Sequence, residues 1–191
     1  MWKLMKTHLI NLIKKSSLAA LLITFGVGIL LTVGDPIGPF LFSFGLLCIC
    51  VMQAELFTGK AGYYWKTQLR DLIIILIINL TVGWISGFLL GIANPSLIAA
   101  ALVKMSGWNW SIGYFIKSIF CGMIMYMSVE VYKKGNPLGI VYGIPLFIFC
   151  GFQHCIANVI IMGIACSFSS EIILCIIGNL IGSIITNILD K

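Results

Sequence analysis

The chain has 191 residues, of which 60% are hydrophobic and only 9% are charged. A soluble domain carries roughly 25% charged residues, so this composition excludes a water-facing globule and indicates an integral membrane protein. The formal net charge is +6, but the basic residues lie in short segments between apolar stretches, where they set membrane orientation. We therefore expect no nucleic-acid partner.

Six apolar stretches are each predicted to form a membrane-spanning helix, since about 20 residues cross a bilayer core of roughly 30 Å. The first follows Lys14 and Lys15, as the apolar part of a secretory signal would. No small-residue cleavage site precedes Asp35 and Pro36, and further spans follow, so a retained helix is expected. Residues 1–191 are interpreted as a single transmembrane transport domain. The six stretches are Leu18–Gly34, Ile37–Phe57, Leu72–Ile92, Trp110–Val131, Leu138–Cys166 and Ile172–Leu189.

The basic residues predict the orientation of these spans. Ten of the 12 fall at alternate ends of the six stretches, whereas Lys104 alone lies at the opposite ends and Lys117 lies within the fourth stretch. The positive-inside rule then places both termini in the cytoplasm, and the abundant Ile and Lys suit the cell membrane of a bacterium of low GC content. The ten residues are Lys3, Lys6, Lys14, Lys15, Lys60, Lys66, Arg70, Lys133, Lys134 and Lys191.

Two of the stretches carry glycine and polar residues where a lipid-facing helix carries leucine. Leu138–Cys166 has 29 residues, about 43 Å as one helix. Irregular backbone at membrane depth is tolerated where it lines a cavity inside protein, so we predict broken helices in spans two and five. Strong tilt or one re-entrant kink is the alternative. The residues at the two breaks are Gln53, Glu55, Thr58 and Gly59 in the second span and Gly151, Gln153, His154 and Asn158 in the fifth.

The two predicted breaks fall in the middle span of each three-span half. The third and sixth spans also match, because Asn79 opens Asn-Leu-Thr-Val-Gly and Asn179 opens Asn-Leu-Ile-Gly. Two halves of three spans insert in opposite senses, which predicts an inverted 3+3 repeat over about residues 16–92 and 108–189, with a substrate site near the midplane. Chance recurrence of the Asn-Leu pair is the alternative. The predicted fold class is an all-α integral membrane protein with six transmembrane helices.

Ionisable groups inside a bilayer are expensive and usually functional. His154, Gln153 and Asn158 stand together at the fifth-span break, so we predict that all three line a transport path and that His154 is not simply a packing residue. Glu55 is predicted to cap free backbone N–H groups at the other break. Lys117 lies near the start of its span and is interpreted as a structural residue whose ammonium group reaches the interface.

Several classes of chemistry are not expected. The seven cysteines form no Cys-x-x-Cys pair and their number is odd, which argues against a disulfide framework or a metal cluster. One histidine in the membrane and no paired carboxylates argue against a hydrolytic or redox centre. The chain has no Gly-x-x-x-x-Gly-Lys-Ser/Thr loop, which excludes ATP-driven transport by this chain. We predict a protein that is not an enzyme and needs no cofactor or metal.

Three segments resemble motifs of the formate/nitrite transporter family, in the right order over nearly the whole chain. They are Ala54 to Gly59 (Ala-Glu-Leu-Phe-Thr-Gly), Gly151 to Asn158 (Gly-Phe-Gln-His-Cys-Ile-Ala-Asn) and Gly178 to Gly182 (Gly-Asn-Leu-Ile-Gly). The resemblance implies an aquaporin-like protomer, a homopentamer, and a path through each protomer for a small monovalent anion such as formate, nitrite or hydrosulfide.

The resemblance also implies roles for individual residues. His154 matches the central histidine of the family and Thr58 the loop threonine that faces it. Lys104 matches the lysine that draws anions to the outer vestibule, if a short insertion separates it from the fourth span; otherwise it is an outer-loop charge that faces water. Phe42 and Phe147 match the outer hydrophobic constriction, and Leu46, Phe57 and Met125 match the inner one.

Three positions depart from the family pattern. Gly122 stands where asparagine is usual after the fourth-span cysteine, Gln153 replaces a glutamate before the histidine, and Lys60 replaces an asparagine. These departures leave the fold prediction intact. They leave open which anion is preferred, including acetate and lactate, and how pH acts on transport.

A proton is expected to accompany the anion. Removing an ion from water costs several kcal/mol, whereas protonating an acid of pKa about 4 at pH 7 costs roughly 4 kcal/mol. The neutral acid is therefore the cheaper species to move past apolar rings, with its proton supplied by solvent or through His154. Lys104 and the N-termini of half-helices would attract the anion beforehand.

Two other functions are weighed against this one. An aquaporin-type channel for neutral solutes typically carries Asn-Pro-Ala at both breaks, but here the Asn-Pro pairs at Asn94 and Asn136 lie outside them. A membrane scaffold subunit without a pore would have no need of polar breaks around His154. Flux through purified, reconstituted protein discriminates between these functions.

Overall fold

The computed structural model describes residues 2–191, with the side chains from residue 5 onward, so the side chain of Lys3 lies outside the described part. Over the described residues the chain forms nine α-helices and no strand. They are α1 Trp2–Val33, α2 Ile37–Val51, α3 Phe57–Tyr64, α4 Leu69–Ala93, α5 Ser96–Ser106, α6 Ile112–Lys133, α7 Leu138–Phe149, α8 Cys155–Ile164 and α9 Ile172–Leu189.

Four of these helices are long and apolar enough to cross a membrane, namely α1 (from Met5), α4, α6 and α9. The apolar helices α2, α7 and α8 are shorter, with 10 to 15 residues, and α3 has only 8. The all-helical membrane class that composition predicts is therefore confirmed, and the chain is a multi-pass membrane protein.

Helix α1 begins well before the predicted start at Leu18. The segment before Leu18 contains neither glycine nor proline, so nothing in it stops a helix; hydropathy marks where a chain enters an apolar layer and not where its helix begins. Near the start of α1, Nε2 of His8 lies 2.8 Å from Oδ2 of Asp71 in the first turn of α4. This hydrogen bond joins the polar ends of the two helices.

Helix α5 was not predicted, because it lies in the connection between the third and fourth stretches. It begins directly after Asn94 and Pro95, and the Ser96 hydroxyl donates to the Asn94 side chain. Leu97 and Ala101 are buried on one face of α5, which packs against α8, α1 and α4. An 11-residue helix with only two buried positions leaves a weak periodic signal in the sequence.

Non-helical segments separate α2 from α3 and α7 from α8. Gln53 in the first and Gly151 in the second both have positive φ, 53° and 65°, a conformation that ends a helix. Each segment ends at an extended residue that precedes the next helix, Leu56 before α3 and His154 before α8. The two segments therefore correspond residue for residue.

The helices pack in two matching sets. Helix α1 packs on α2 and α4, as α6 packs on α7 and α9; α8 lies against α4, as α3 lies against α9. Glycines allow the backbones to meet: a Cβ added at Gly122 of α6 would overlap the carbonyl of Asn179, and one added at Gly87 of α4 would overlap the carbonyl of Ile160. Such close approach is the way that helices associate in membranes.

Gly122→Ala is expected to destabilise the protein in detergent, by about 1–3 kcal/mol as for other overpacked sites. The added methyl group would meet the backbone of α9 at Asn179. Backbone atoms cannot move aside as the end of a flexible side chain can. The measurement is the melting temperature by intrinsic fluorescence. Gly113→Ala is the matched control on the same helix, because its Cβ would meet only Oγ of Ser111, at 3.9 Å. Equal melting temperatures for the two variants would contradict the close contact of α6 and α9.

Candidate functional site

A buried hydrogen bond joins His154, the last residue of the second non-helical segment, to Thr58, which lies just after the first segment. Oγ1 of Thr58, in the first turn of α3, lies 2.9 Å from Nε2 of His154, and the two residues are 1% and 2% exposed. The other ring nitrogen, Nδ1, accepts from the backbone N–H of Ala157 at 3.1 Å and so caps α8. Because Nδ1 accepts, the proton of the neutral ring is on Nε2 and is donated to Thr58.

Asn79 holds the first segment in place. Its Oδ1 accepts from the N–H of Phe57 at 2.8 Å, and its Nδ2 donates to the carbonyls of Ser16 and Glu55 at 2.8 and 3.1 Å. The side chain is fully buried. One amide thus bonds three backbone groups, one in α1, one in the first segment and one at the start of α3.

Asn179 does the same for the second segment. Its Oδ1 accepts from the N–H of Cys155 at 2.9 Å, and its Nδ2 donates to the carbonyls of Ser118 and Gln153 at 2.7 and 2.8 Å. This residue is also fully buried. Buried backbone groups need such partners, so the two asparagines maintain the shape of the segments that carry Thr58 and His154.

On one side of the His154–Thr58 pair lie two phenylalanines. The ring of Phe147 stacks on that of His154 with centroids 5.8 Å apart, and Phe42 meets Phe147 edge to face at 6.3 Å. Both phenylalanines are buried. The structure therefore brings the residues predicted for the outer constriction next to the histidine.

The residues predicted for the inner constriction begin with Leu46, which lies one helical turn beyond Phe42 on the same face of α2. Leu46, Phe57 and Met125 are all fully buried. Leu46 also lines a cavity of about 360 Å³, which we call the lysine-lined cavity. Its lining includes Lys15, Cys50, Gln53, Glu55, Gly59, Lys60, Val129, Tyr132 and Lys133.

Glu55 does not have its predicted partner. Its carboxylate lies 3.0 Å from the ammonium group of Lys60, and no side chain caps the start of α3. The prediction that Glu55 caps backbone N–H groups is therefore wrong. A carboxylate has a stronger partner in an ammonium group than in a backbone N–H, and Lys60 stands one turn into α3, within reach.

Asn158 and Gln153 join a polar network that points toward α6 and α9. Nδ2 of Asn158 donates to the hydroxyl of Tyr114 and to Oε1 of Gln153, both at 3.0 Å. The thiol of Cys175 donates to the carbonyl of Gln153 at 3.2 Å. Sequence reasoning missed Tyr114 and Cys175, since a tyrosine and a cysteine in apolar helices give no signal of a polar partner on another helix.

Two other candidates lie apart from the buried pair. Lys104 is in the last turn of α5 and Lys117 is in the second turn of α6, and both are exposed. The exposed side chain of Lys117 agrees with its interpretation as a residue outside the path. The structure does not bring Lys104 to the His154–Thr58 pair, so its role in attracting anions stays a prediction.

Fold and site together define a helical membrane protein in which two non-helical segments, each fixed by a buried asparagine, present a histidine and a threonine to each other. The formate/nitrite transporter profile matches residues 2–189. The chain belongs to the formate/nitrite transporter family, as the three sequence motifs indicated.

The chain is also similar to individual proteins in sequence or in structure. YrhG of Bacillus subtilis (strain 168), an uncharacterized transporter, is 29% identical over 176 residues, which cover 76% of this chain and 66% of that protein. A pentameric formate channel with formate bound has a TM-score of 0.78 at 16% identity, over 97% of this chain and 95% of that one. An ion channel described by the same family's abbreviation, FNT, also gives 0.78 at 16% identity, over 98% and 90% of the two chains.

Proposed function

We propose that this protein is a channel or transporter for small monovalent anions of weak acids, of the formate, nitrite or hydrosulfide class, with a pore in each protomer. The observation that carries the proposal is the buried His154–Thr58 pair, with the ring of Phe147 stacked on His154 and Phe42 packed against Phe147. Membership of the family and the fold of a formate channel support it.

The proposed architecture has six spans. Helices α2 and α3 form one broken span, α7 and α8 form another, and the repeats cover about residues 16–92 and 108–189. Three correspondences support this inverted repeat: the matched packing of the two helix sets, the positive φ of Gln53 and Gly151, and the identical bonding of Asn79 and Asn179.

The proposed assembly is a homopentamer in the bacterial cytoplasmic membrane, with both termini in the cytoplasm. The ten basic residues at alternate ends of the spans support this orientation. A relative in Bacillus subtilis and a structural neighbour described as pentameric support the organism class and the stoichiometry. Native mass spectrometry in detergent is expected to give a mass of five chains.

In the proposed mechanism the substrate passes the rings as a neutral acid. The hydroxyl of Thr58 accepts from His154, so its own proton is free to donate to a substrate oxygen. Lys104 and the half-helix N-termini attract the anion, and the proton arrives from solvent or through His154. Gln153 and Asn158 line the path beside His154, and the hydrogen bond between their side chains fixes their positions. The neutral acid then passes Phe42 and Phe147, and the inner residues Leu46, Phe57 and Met125.

Stopped-flow light scattering of proteoliposomes tests the function. Vesicles are mixed with formate, nitrite, hydrosulfide or acetate at pH 5.5 and 7.5, with protein-free liposomes as the control. We expect protein-dependent entry of at least one of these solutes, and we expect it to be faster at pH 5.5. At pH values above the pKa of an acid, lowering the pH by one unit raises the neutral fraction about tenfold. No protein-dependent entry of any of the four would contradict the proposal. Entry of water or glycerol alone would favour a neutral-solute channel.

A further inference from the structure

The lysine-lined cavity is larger than the proposed substrates require. Its volume is about 360 Å³, whereas a water molecule occupies about 30 Å³ of liquid and an anion of three heavy atoms needs only a few times that. Leu46, Leu56 and Ala54, which are buried, form an apolar part of its lining. The cavity therefore combines charged residues with an apolar wall.

The charges around this cavity do not balance. Lys15, Lys60 and Lys133 line it, and Glu55 is the one acidic residue in the lining that the structure describes. Glu55 is engaged by Lys60 at 3.0 Å, which leaves the ammonium groups of Lys15 and Lys133 without a carboxylate in the lining. The lining thus has a formal net charge of +2.

The acidic residue nearest to Lys133 in the chain is already occupied. One carboxylate oxygen of Glu130 accepts from the hydroxyl of Tyr63 at 2.6 Å, and the other lies 3.9 Å from the ammonium group of Lys134. The ammonium group of Lys133 itself sits 3.2 Å from the centre of the Tyr63 ring, an arrangement that fixes a cation without neutralising it. Glu130 attracts Lys133 electrostatically, but within the part of the chain that the structure describes neither Lys15 nor Lys133 has a carboxylate as a direct partner, so both ammonium groups remain available to a ligand.

A divalent anion would enter this cavity but would not leave it through the pore. The free energy of removing an ion from water grows steeply with its charge, and one proton leaves a divalent anion still charged. The apolar wall at Leu46 would therefore stop it, while a monovalent weak acid becomes neutral and passes.

We propose that the lysine-lined cavity is a binding site for a small divalent oxyanion, which occludes the pore from that side. Lys15 and Lys133 hold the anion, and the Glu55–Lys60 pair forms part of the wall. Occlusion of the pore rests on the proposed function, because it concerns the flux of the weak acid. Binding of the anion to the cavity does not depend on that function.

Sulfate is the probe for binding, because it stays divalent over the whole working pH range. The melting temperature of the full-length protein in detergent is measured against millimolar sulfate, with sodium chloride at equal ionic strength as the reference. We expect sulfate to stabilise the wild type, and Lys133→Gln and Lys15→Gln to raise the apparent sulfate Kd about tenfold, as for loss of one hydrogen bond to a charged group. At high concentration sulfate also stabilises proteins because it is excluded from their surface. The difference in apparent sulfate Kd between the variants and the wild type is therefore the quantity that tests the site.

Lys134→Gln is the matched control, since Lys134 is adjacent in the chain but pairs with Glu130 and Asp190 outside the cavity. It is expected to bind sulfate as the wild type does. Equal sulfate affinity in all four proteins, or no stabilisation of the wild type, would overturn the site.

Occlusion is tested by formate entry into proteoliposomes that contain sulfate on both sides. We expect sulfate to slow formate entry through the wild type and Lys134→Gln, and about tenfold more sulfate to be needed for Lys133→Gln. Binding without slower entry would overturn occlusion. Specific sulfate binding by a protein that transports no weak acid would instead refute the proposed function and leave the site standing.

Discussion

His154→Asn is expected to slow acid-driven formate entry while the protein stays folded. Asparagine is a good helix cap, so its side-chain oxygen would still accept from the N–H of Ala157 and α8 would keep its start. Its side chain is too short to replace Nε2 as the donor to Thr58, whose hydroxyl would lose its orientation. Loss of about 1–2 kcal/mol at this point slows transport about 5- to 30-fold.

The measurement is the rate of formate entry into proteoliposomes at pH 5.5 together with the melting temperature of each variant. His154→Phe removes both the cap and the donor, so it should lower both the rate and the melting temperature. If His154→Asn transports formate at the wild-type rate with the wild-type pH dependence, the histidine has no part in transport.

Asn179→Leu is expected to cause the largest loss of stability of any single polar substitution proposed here. Leucine has a similar volume but leaves the N–H of Cys155 without its partner and removes one donor each from the carbonyls of Ser118 and Gln153. An unsatisfied buried N–H costs about 1–3 kcal/mol and each lost hydrogen bond about 0.5–1.5 kcal/mol, so several kcal/mol are lost and the segment that carries His154 loses its shape. We expect little folded protein in detergent and no formate entry.

Asn79→Leu should behave in the same way, because Asn79 holds three equivalent groups in the other half. Asn187→Leu is the control on α9: that buried side chain makes one bond, to the hydroxyl of Tyr126, which also bonds Asp190. A loss of stability for Asn179→Leu no greater than that for Asn187→Leu would show that the asparagine is not what fixes the segment.

The positions of the two non-helical segments could be predicted from the sequence for a physical reason. A helix in an apolar layer needs apolar side chains, and none of its residues can adopt a positive φ. The chain has polar side chains and positive φ angles near Gln53 and Gly151. The pattern that opens with Asn79 and Asn179 identified two residues of the site, although not their partners. The orientation of the spans rests on the basic residues and stays a prediction.

Contacts between distant parts of the chain could not be predicted. Asn158 bonds Tyr114 and Gln153, and nothing in an apolar helix signals which neighbour will face it. Glu55 was expected to bond the backbone, yet a lysine one turn away is the stronger partner. At Gly122, one of the departures from the family pattern, α9 leaves no room for a side chain, a contact that the sequence does not reveal.

The central claim is that the substrate crosses as a neutral acid, and the most direct test measures charge movement. Proteoliposomes with a pH-sensitive dye inside are given a formate gradient, with the membrane potential set by potassium and valinomycin. We predict that one proton enters with each formate, so that the lumen acidifies and the rate of entry does not change with potential. Entry of formate that follows the membrane potential and leaves the internal pH unchanged would show that the bare anion crosses, and would contradict the account.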